Sequence, residues 1–177
     1  MNMEELIVAV QEWSKNKGLD KVDSRGQFLK VTEESSEMGQ AKALLLSPSK
    51  DIRNKGLEMY MDAVGDTYVT LIILAQQQGI EFLDLWEHAD AFYSHDENDI
   101  LVALGVISGH LAKNKSNSVE GIRFAIFKMI LSLKHLATKE GLESSECLEM
   151  AYNVIAKRKG KMIDGVFVKE EDLKDGQ

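Results

Sequence analysis

Two pairs of acidic residues lie in the first half of the chain at spacings typical of helices. Glu34 and Glu37 are three positions apart in the run Glu33-Glu34-Ser35-Ser36-Glu37, and Asp62 and Asp66 are four positions apart. Residues at these spacings share one face of a helix. At about 100° per residue, Glu34 falls within an apolar stripe that Glu37 borders, and Asp62 and Asp66 continue a second stripe. We therefore expect all four carboxylates to lie on faces that look inward.

Four carboxylates in one cleft favour a divalent cation. The predicted helices at about 25–46 and 56–78 are joined by a short connection, so we expect them to pack antiparallel and to bring the pairs together. Two charges 4 Å apart repel by about 4 kcal/mol at an effective dielectric constant of 20, so protonation or a cation must relieve the site. Hard oxygen ligands without His or Cys suit Mg²⁺ or Mn²⁺. The pattern alone leaves open both a metal site and a solvated acidic surface.

Apolar periodicity and the scarcity of helix breakers predict an all-α protein, built as an antiparallel helical bundle. Proline occurs once among 177 residues. No low-complexity linker interrupts the periodic segments, so we predict one domain over 1–177 with a short extended C-terminal tail that includes a strand near 166–168. The predicted helices lie at about 3–15, 25–46, 56–78, 81–92, 97–113, 119–140 and 144–159.

A weak internal repeat relates the segment at 74–81, LAQQQGIE, to the segment at 136–143, LATKEGLE, at an offset of 62 positions. The register continues without gaps on both sides, which favours a tandem duplication. We expect copy 1 at about 25–93 to carry the metal site and copy 2 at about 94–159 to be degenerate. Chance similarity between helix-rich segments is the alternative.

Copy 2 lacks a full counterpart of the acidic pairs. The offset places four residues over Glu34, Glu37, Asp62 and Asp66, and these are, respectively, Asp96, Asp99, Phe124 and Lys128. Because phenylalanine and lysine do not ligate a cation, we expect copy 2 to be a structural partner that closes the bundle. The simpler interpretation of its acidic residues is a helix start with the capping box Ser94-x-x-Glu97.

Composition excludes several classes of protein. With 21 basic and 29 acidic residues the net charge is −8, which disfavours non-specific nucleic-acid binding. No apolar run approaches the roughly 20 residues of a membrane span, and the acidic start has no basic leader. The single cysteine, Cys147, cannot form an internal disulfide. We expect a soluble cytoplasmic protein without a membrane or nucleic-acid partner.

The acidic motif resembles that of the all-α nucleoside triphosphate pyrophosphohydrolases, the MazG-like superfamily that also contains dimeric dUTPases. That family carries Glu-Glu-x-x-Glu on one helix and Glu-x-x-Asp on the next. The run Glu33-Glu34-Ser35-Ser36-Glu37 matches the first half, and Asp66, preceded by Gly65, matches the end of the second. Ala63 stands where the family has the glutamate of the second half, and Asp62 is expected to replace it.

The resemblance covers about 1–80 and 142–169. The first helix, with Trp13 and Lys17-Gly18-Leu19, is similar to that of the family, and the segment at 151–169 resembles the closing helix and tail of phage-encoded members. The section between these parts is longer than in the simple family form.

The resemblance implies an enzyme that hydrolyses a nucleoside triphosphate to the monophosphate and pyrophosphate, through water attack at the α-phosphorus. It implies a Mg²⁺ cofactor, with Mn²⁺ as an alternative, and a homodimer. The implied metal ligands are Glu34, Glu37, Asp62 and Asp66, and the implied catalytic residues are Glu33, Glu34 and Glu37. Glu33 is a ligand, a base for the water proton, or a solvated helix residue.

Six further residues are candidates for substrate contacts, each with an ordinary structural alternative. Tryptophan stacks on a base or is buried as a staple, and the cations hold pyrophosphate or complement a helix C-terminus. These candidates are Trp13, Lys17, Asn153, Lys157, Arg158 and Lys161. Two other functions stay open: a catalytically silent helical interaction protein of the same fold, and a hydrolase of a related nucleotide such as an alarmone.

Overall fold

A computed structural model describes residues 1–89, 97–112, 119–163 and 166–170, and these ranges contain seven α-helices. The all-α prediction is therefore confirmed. A 3₁₀ turn at Leu19–Lys21 follows the first helix, and strands β1 (Gly160–Ile163) and β2 (Val166–Lys169) pair antiparallel as a C-terminal hairpin. The helices are α1 (Met3–Asn16), α2 (Ser24–Leu45), α3 (Lys50–Gln77), α4 (Phe82–His88), α5 (Glu97–Ala112), α6 (Val119–Lys139) and α7 (Ser144–Ile155).

Helix α3 begins at Lys50, so the predicted start at 56 is wrong. The guanidinium of Arg53 donates hydrogen bonds to the backbone oxygens of Ser47 and Pro48, both 2.8 Å away. These bonds tie the first turn of α3 to the connection before it, and the helix begins after Ser49. The α2–α3 connection is therefore only four residues long, from Leu46 to Ser49.

The two shorter helices end before their predicted limits. Helix α7 stops at Ile155 rather than 159, because the chain turns into the hairpin, where the backbone nitrogen of Glu170 donates to the oxygen of Lys159 at 2.9 Å. Helix α4 ends at His88, and the predicted continuation to 92 runs into residues 90–96, which lie outside the described ranges. The strand expected near 166–168 is confirmed as β2, whereas its partner β1 was not predicted.

Helices α2 and α3 pack antiparallel, as expected. Near the start of α2, Nε2 of Gln27 donates to the backbone oxygen of Thr70 near the end of α3, at 3.0 Å. At the other end, a Cβ atom on Gly56 would lie 2.8 Å from Cβ of Leu44, so the helices touch backbone to side chain there. The pairing fixes which residues of the two helices face each other.

Helix α3 runs through the centre of the bundle. Its segment 71–75 is buried on every side, and the helix contacts α1, α2, α6 and α7. A helix with apolar residues all round its surface is typical of a core position. None of the helices in the described ranges is both long and apolar enough to cross a membrane.

Two helices end in the same way at the predicted repeat offset. Gly79 and Gly141 both have left-handed backbone angles, with φ of 66° and 75°. The nitrogen of Ile80 donates to the oxygen of Ala75, and that of Leu142 to the oxygen of Ala137, both at 2.9 Å. Such hydrogen bonds around a left-handed glycine commonly close helix C-termini. The shared ending agrees with a duplication, which stays a prediction.

Candidate metal centre

Glu34 of α2 and Asp66 of α3 are half-buried and lie close enough to repel each other. Burial, followed by the negative charges of Asp66 and Glu37, raises the pKa of Glu34 to about 7. Burial, followed by the negative charge of Asp62, raises the pKa of Asp66 to about 6, while the guanidinium of Arg158 acts in the opposite direction. Helices α2 and α3 therefore bring predicted ligands from both acidic pairs close enough for their charges to interact.

Two linked hydrogen bonds next to Asp66 fix the position of α2 along α3. The side chain of Gln27, which is almost fully buried, bonds the backbone oxygen of Thr70. The hydroxyl of Thr70 in turn donates to the backbone oxygen of Asp66 at 3.0 Å. Because a buried amide without a partner is unfavourable, this contact resists sliding of α2 along α3.

The expectation that all four carboxylates face inward is wrong for Glu37 and Asp62, which are exposed. On α2 the inward position next to Glu37 is taken by Met38, and on α3 the one next to Asp62 is taken by Ala63. Neighbouring positions differ by about 100° around a helix, so the acidic side chains point toward solvent. Glu37 and Asp62 therefore form the rim of the cluster rather than its floor.

The four predicted metal ligands do not surround a common point in the described structure. Across 1–89, 97–112, 119–163 and 166–170, no three acidic, histidine or cysteine side chains are arranged to hold one metal ion. The donor set itself, made of carboxylates without nitrogen or sulfur, suits a hard cation such as Mg²⁺. The metal assignment of Glu34, Glu37, Asp62 and Asp66 thus stays a prediction.

Lys30 is a member of the site that the sequence analysis missed. Its Nζ lies 2.5 Å from a carboxylate oxygen of Glu33, which is exposed. Its positive charge also lowers the pKa of Glu34 and of Asp66, against the larger effects that raise them. The spacing was a usable signal, because Lys30 precedes Glu33 by three positions and Glu34 by four.

Among the substrate candidates, Arg158 is the one whose positive charge lowers the pKa of Asp66, against the larger effect of burial. It is half-buried, and its backbone oxygen accepts a hydrogen bond of 3.3 Å from Nζ of Lys17. That Nζ atom also lies 5.4 Å from the ring centroid of Phe167 in β2. Lys17 thus joins the end of α1 to the hairpin and to the backbone that carries Arg158.

The other substrate candidates lie in less specific surroundings. Trp13 is half-buried and packs edge-to-face on Phe167, with 6.3 Å between ring centroids, which favours the packing alternative. Asn153, Lys157 and Lys161 are exposed, and no described contact links them to the carboxylates. Their roles in binding substrate remain predictions.

In the segment predicted to be copy 2, an ion pair occupies the positions that the offset relates to Glu37 and Asp66. Nζ of Lys128 lies 3.9 Å from Oδ1 of Asp99, so an ammonium group stands next to the carboxylate. Phe124 is 62% exposed. This arrangement agrees with the expected loss of a second metal site, whereas Asp96 and most of the predicted capping box at 94–97 lie outside the described residues.

Comparison with family models, with curated proteins and with solved structures found no match to this chain. The resemblance to the MazG-like pyrophosphohydrolases therefore rests on the acidic motif and the flanking segments of the sequence.

The raised pKa of Glu34 predicts a pH-dependent stability. Glu34 of the folded protein, with a pKa of about 7, keeps a proton that an unfolded glutamate releases near its ordinary value of 4.5. The folded state thus binds more protons between these values, and stability falls as pH rises through them. Because a glutamine side chain cannot ionise, we expect Glu34→Gln to raise the free energy of unfolding at pH 8 by about 1–2 kcal/mol, after allowance for solvent screening.

Urea unfolding at pH 8 and at pH 4 measures this difference. At pH 4 residue 34 is neutral in both variants, so the two stabilities should agree there. Glu12→Gln, which changes an exposed glutamate on α1, is the control and should alter stability little at either pH. A gain for Glu34→Gln of equal size at both pH values would contradict the assignment of a strained carboxylate.

Proposed function

We propose that this protein is a Mg²⁺-dependent nucleoside triphosphate pyrophosphohydrolase, which converts a (d)NTP to the (d)NMP and pyrophosphate. The observation that carries the proposal is the pair Glu34 and Asp66, two half-buried carboxylates on adjacent helices whose pKa values are raised to about 7 and 6. Perturbed carboxylates of this kind cluster at functional sites. A divalent cation would relieve their repulsion, and it would let a chain of charge −8 bind a polyphosphate.

A ligand set that includes Glu34 and Asp66 can be completed from the rim of the cluster, by Glu37 and Asp62. Both are exposed, so rotation of their side chains needs no rearrangement of the core. We propose that these four carboxylates would hold the ion, Glu34 and Asp66 from the fixed part of the site and Glu37 and Asp62 from its rim.

The reaction proceeds by water attack at the α-phosphorus and cleavage of the bond to the bridging oxygen of the pyrophosphate. When bound, Mg²⁺ would neutralise part of the triphosphate charge and would lower the pKa of the attacking water. Glu33 is proposed to accept the water proton, since it is exposed next to Glu34 and its charge is balanced by Lys30. Arg158 stabilises the negative charge that develops on the pyrophosphate.

The direct test is a substrate panel with the purified protein and Mg²⁺ or Mn²⁺. The panel contains the deoxynucleoside and ribonucleoside triphosphates and a guanosine tetraphosphate alarmone, with products separated by ion-exchange chromatography. We expect equal amounts of nucleoside monophosphate and pyrophosphate from one or more triphosphates. Release of orthophosphate and nucleoside diphosphate would contradict attack at the α-phosphorus, and the absence of any product would overturn the enzyme assignment.

Arg158 should matter more than the exposed lysine next to it. Arg158→Gln removes the one candidate cation whose charge reaches Asp66, so we expect kcat/KM for pyrophosphate release to fall by about tenfold or more. Lys159→Gln is the matched control, because it changes a neighbouring exposed cation that is not a substrate candidate and should leave kcat/KM within about twofold. Similar losses in the two variants would mean that general positive charge, and not the position of Arg158, supports the reaction.

A second candidate is a helical interaction protein without catalytic activity. Ala63, which stands where the family has a glutamate, favours this alternative, as does the absence of a three-ligand group among the described residues. A metal titration separates the two functions, since Mg²⁺ raises the melting temperature only if the folded protein binds it. The enzyme proposal includes a cytoplasmic location, because nucleoside triphosphates are made and used in the cytoplasm.

A further inference from the structure

Lys30 continues the row of acidic residues on α2 toward the start of that helix. Lys30, Glu34 and Glu37 follow each other at spacings of four and three positions, so they share one flank of the helix. The step from Lys30 to Glu34 covers about 6 Å along the helix axis. Gln27, three positions before Lys30, bonds α3 at the backbone oxygen of Thr70. Lys30 therefore lies beside the acidic cluster, at the edge of the contact between α2 and α3.

The positive charge of Lys30 acts on both half-buried carboxylates of the cluster. It lowers the pKa of Glu34 on its own helix and that of Asp66 on α3, in each case against the larger effect of burial. Among the described residues, two cations act on Asp66 in this way, Lys30 from α2 and Arg158 from the segment after α7. Positive charge thus comes to the cluster from two different elements of the fold.

The other two basic residues of α2 have different surroundings. Arg25 forms an ion pair with Asp23, which precedes the helix, and Lys42 forms one with Glu140 of α6. At about 100° per residue, Lys42 lies about 120° around the helix from Lys30. Lys30 is therefore the basic residue of α2 that lies on the acidic row.

The ammonium group of Lys30 is paired with the carboxylate of Glu33. Nζ lies 2.5 Å from Oε2, and the two side chains are 58% and 53% exposed. An ion pair this exposed contributes little to stability, so its members exchange readily with other charged groups. A phosphate chain carries more negative charge than one carboxylate, and lysine is a common phosphate ligand. The pair is therefore open to replacement by a phosphate.

We propose that Lys30 is a phosphate-binding residue, which leaves Glu33 for the phosphate chain of the nucleotide when substrate binds. The inference rests on the proposed function, because it places the triphosphate at the acidic cluster. A chain of net charge −8 needs local positive charge to hold a polyphosphate, and Lys30 lies one helical turn from Glu34. The ammonium group sits on a flexible stem, so it reaches a phosphate without movement of α2.

The exchange also changes what the carboxylate of Glu33 can bind. Its Oε2 accepts a hydrogen bond from Nζ of Lys30, and this oxygen becomes available to a water molecule once Lys30 has moved to the phosphates. In the proposed reaction Glu33 accepts the proton of the attacking water. Binding of the phosphates and release of the base are therefore one event.

Isothermal titration calorimetry with inorganic pyrophosphate at saturating Mg²⁺ tests the proposal, because pyrophosphate is the proposed product and its binding needs no turnover. We expect Lys30→Gln to weaken pyrophosphate binding at least about tenfold, since a charge-assisted contact is lost. Lys30→Arg keeps the charge and should bind within about threefold of wild type. Lys55→Gln, which changes an exposed lysine on α3, is the matched control and should bind pyrophosphate as the wild type does.

The exchange predicts the opposite result for Glu33→Gln. Removing the carboxylate that competes for Lys30 should tighten pyrophosphate binding about two- to fivefold, whereas kcat should fall about 100-fold because the base is lost. In the double variant, Lys30→Gln with Glu33→Gln, pyrophosphate binding should equal that of Lys30→Gln, because Glu33 acts through Lys30. General repulsion between Glu33 and pyrophosphate would instead tighten binding in the double variant as well, and that result would overturn the exchange.

Titration with Mg²⁺ alone separates phosphate binding from a structural role of Lys30. Lys30→Gln should bind Mg²⁺ at least as tightly as the wild type, because a positive charge near the carboxylates is lost. Equal weakening of Mg²⁺ and pyrophosphate binding would mean that Lys30 only maintains the site, and it would overturn the proposal. So would unchanged pyrophosphate binding in Lys30→Gln, or no pyrophosphate binding by the wild type.

The substrate panel keeps this inference distinct from the proposed function. Hydrolysis of a triphosphate with the same KM in Lys30→Gln as in the wild type would leave the proposed function intact and remove the inference. Pyrophosphate binding that depends on Lys30, in a protein that hydrolyses no nucleotide, would retain the phosphate site and remove the proposed function.

Discussion

Replacing Asp66 by asparagine is expected to lower pyrophosphate release at least about 100-fold. Asparagine has almost the same shape as aspartate, so the contact between α2 and α3 is retained, including the hydrogen bond from Thr70 to the backbone oxygen of residue 66. What is lost is the negative charge of one of the two half-buried carboxylates in the cluster. Steady-state kinetics with a saturating concentration of Mg²⁺ and the best substrate of the panel measures the loss.

The same variant should be more stable than the wild type when metal is absent. Burial and the charge of Asp62 raise the pKa of Asp66 to about 6, so the folded state holds this group in its ionised form at pH 8 at a disadvantage. Removing the charge should raise the free energy of unfolding by about 1 kcal/mol at pH 8, and by nothing below about pH 4. Activity and metal-free stability thus change in opposite directions, which a purely structural aspartate would not show.

With added Mg²⁺, the wild type should become more stable than Asp66→Asn. A ligand that binds only the folded state stabilises it by about 2.7 kcal/mol when present at 100 times its dissociation constant. We expect this gain for the wild type and little of it for Asp66→Asn. Thermal unfolding with and without Mg²⁺ measures both, and Glu58→Gln, an exposed acid on α3, is the control. Full activity in Asp66→Asn, or an equal loss in Glu58→Gln, would remove Asp66 from the site.

Helix positions were predictable where local periodicity decides them and less so where distant contacts decide them. The predicted limits of α1, α2, α5 and α6 agree with the structure to within about one residue, which is the usual uncertainty of helix ends. The end of α7 depends instead on the hairpin, in which Lys159 pairs with Glu170. The start of α3 depends on the side chain of Arg53, whose hydrogen bonds a periodicity argument does not include.

In the candidate site, too, local periodicity predicted some features, and contacts between helices decided the others. The spacings within the pairs Glu34/Glu37 and Asp62/Asp66 and the short connection between their helices predicted that two antiparallel helices carry the acidic residues, and α2 and α3 do pack antiparallel. The exposure of Glu37 and Asp62 could not be derived in this way, because a small rotation of each helix decides which neighbour is buried. Packing settles that rotation through buried residues such as Met38, which contacts Thr67 of α3, and Ala63, which belongs to the same core. The fit of the bundle, and not the periodicity, therefore decides which acids form the floor of the cluster.

Gly65, the residue before Asp66, illustrates how closely packing and the site are connected. A Cβ atom at Gly65 would lie 2.9 Å from the backbone carbon of Cys147 and 3.0 Å from Cβ of Ala151, both in α7. It would come closer still to the backbone oxygen of Cys147. Backbone atoms of a helix cannot move aside individually, so α7 must shift as a unit. Because Arg158 follows the end of α7, the same shift would change the position of its guanidinium relative to Asp66.

We therefore expect Gly65→Ala to lower the free energy of unfolding by about 2–4 kcal/mol, even though alanine is the better helix former. It should also lower kcat/KM for pyrophosphate release in the fraction that remains folded. Gly26→Ala is the control, because a Cβ atom there meets no atom within 4 Å, and its stability should be unchanged or higher by up to about 1 kcal/mol. Urea unfolding of the two variants measures the difference. Equal stabilities would contradict the close contact of α3 and α7 at Gly65, and with it the structural basis for the electrostatic effect of Arg158 on Asp66.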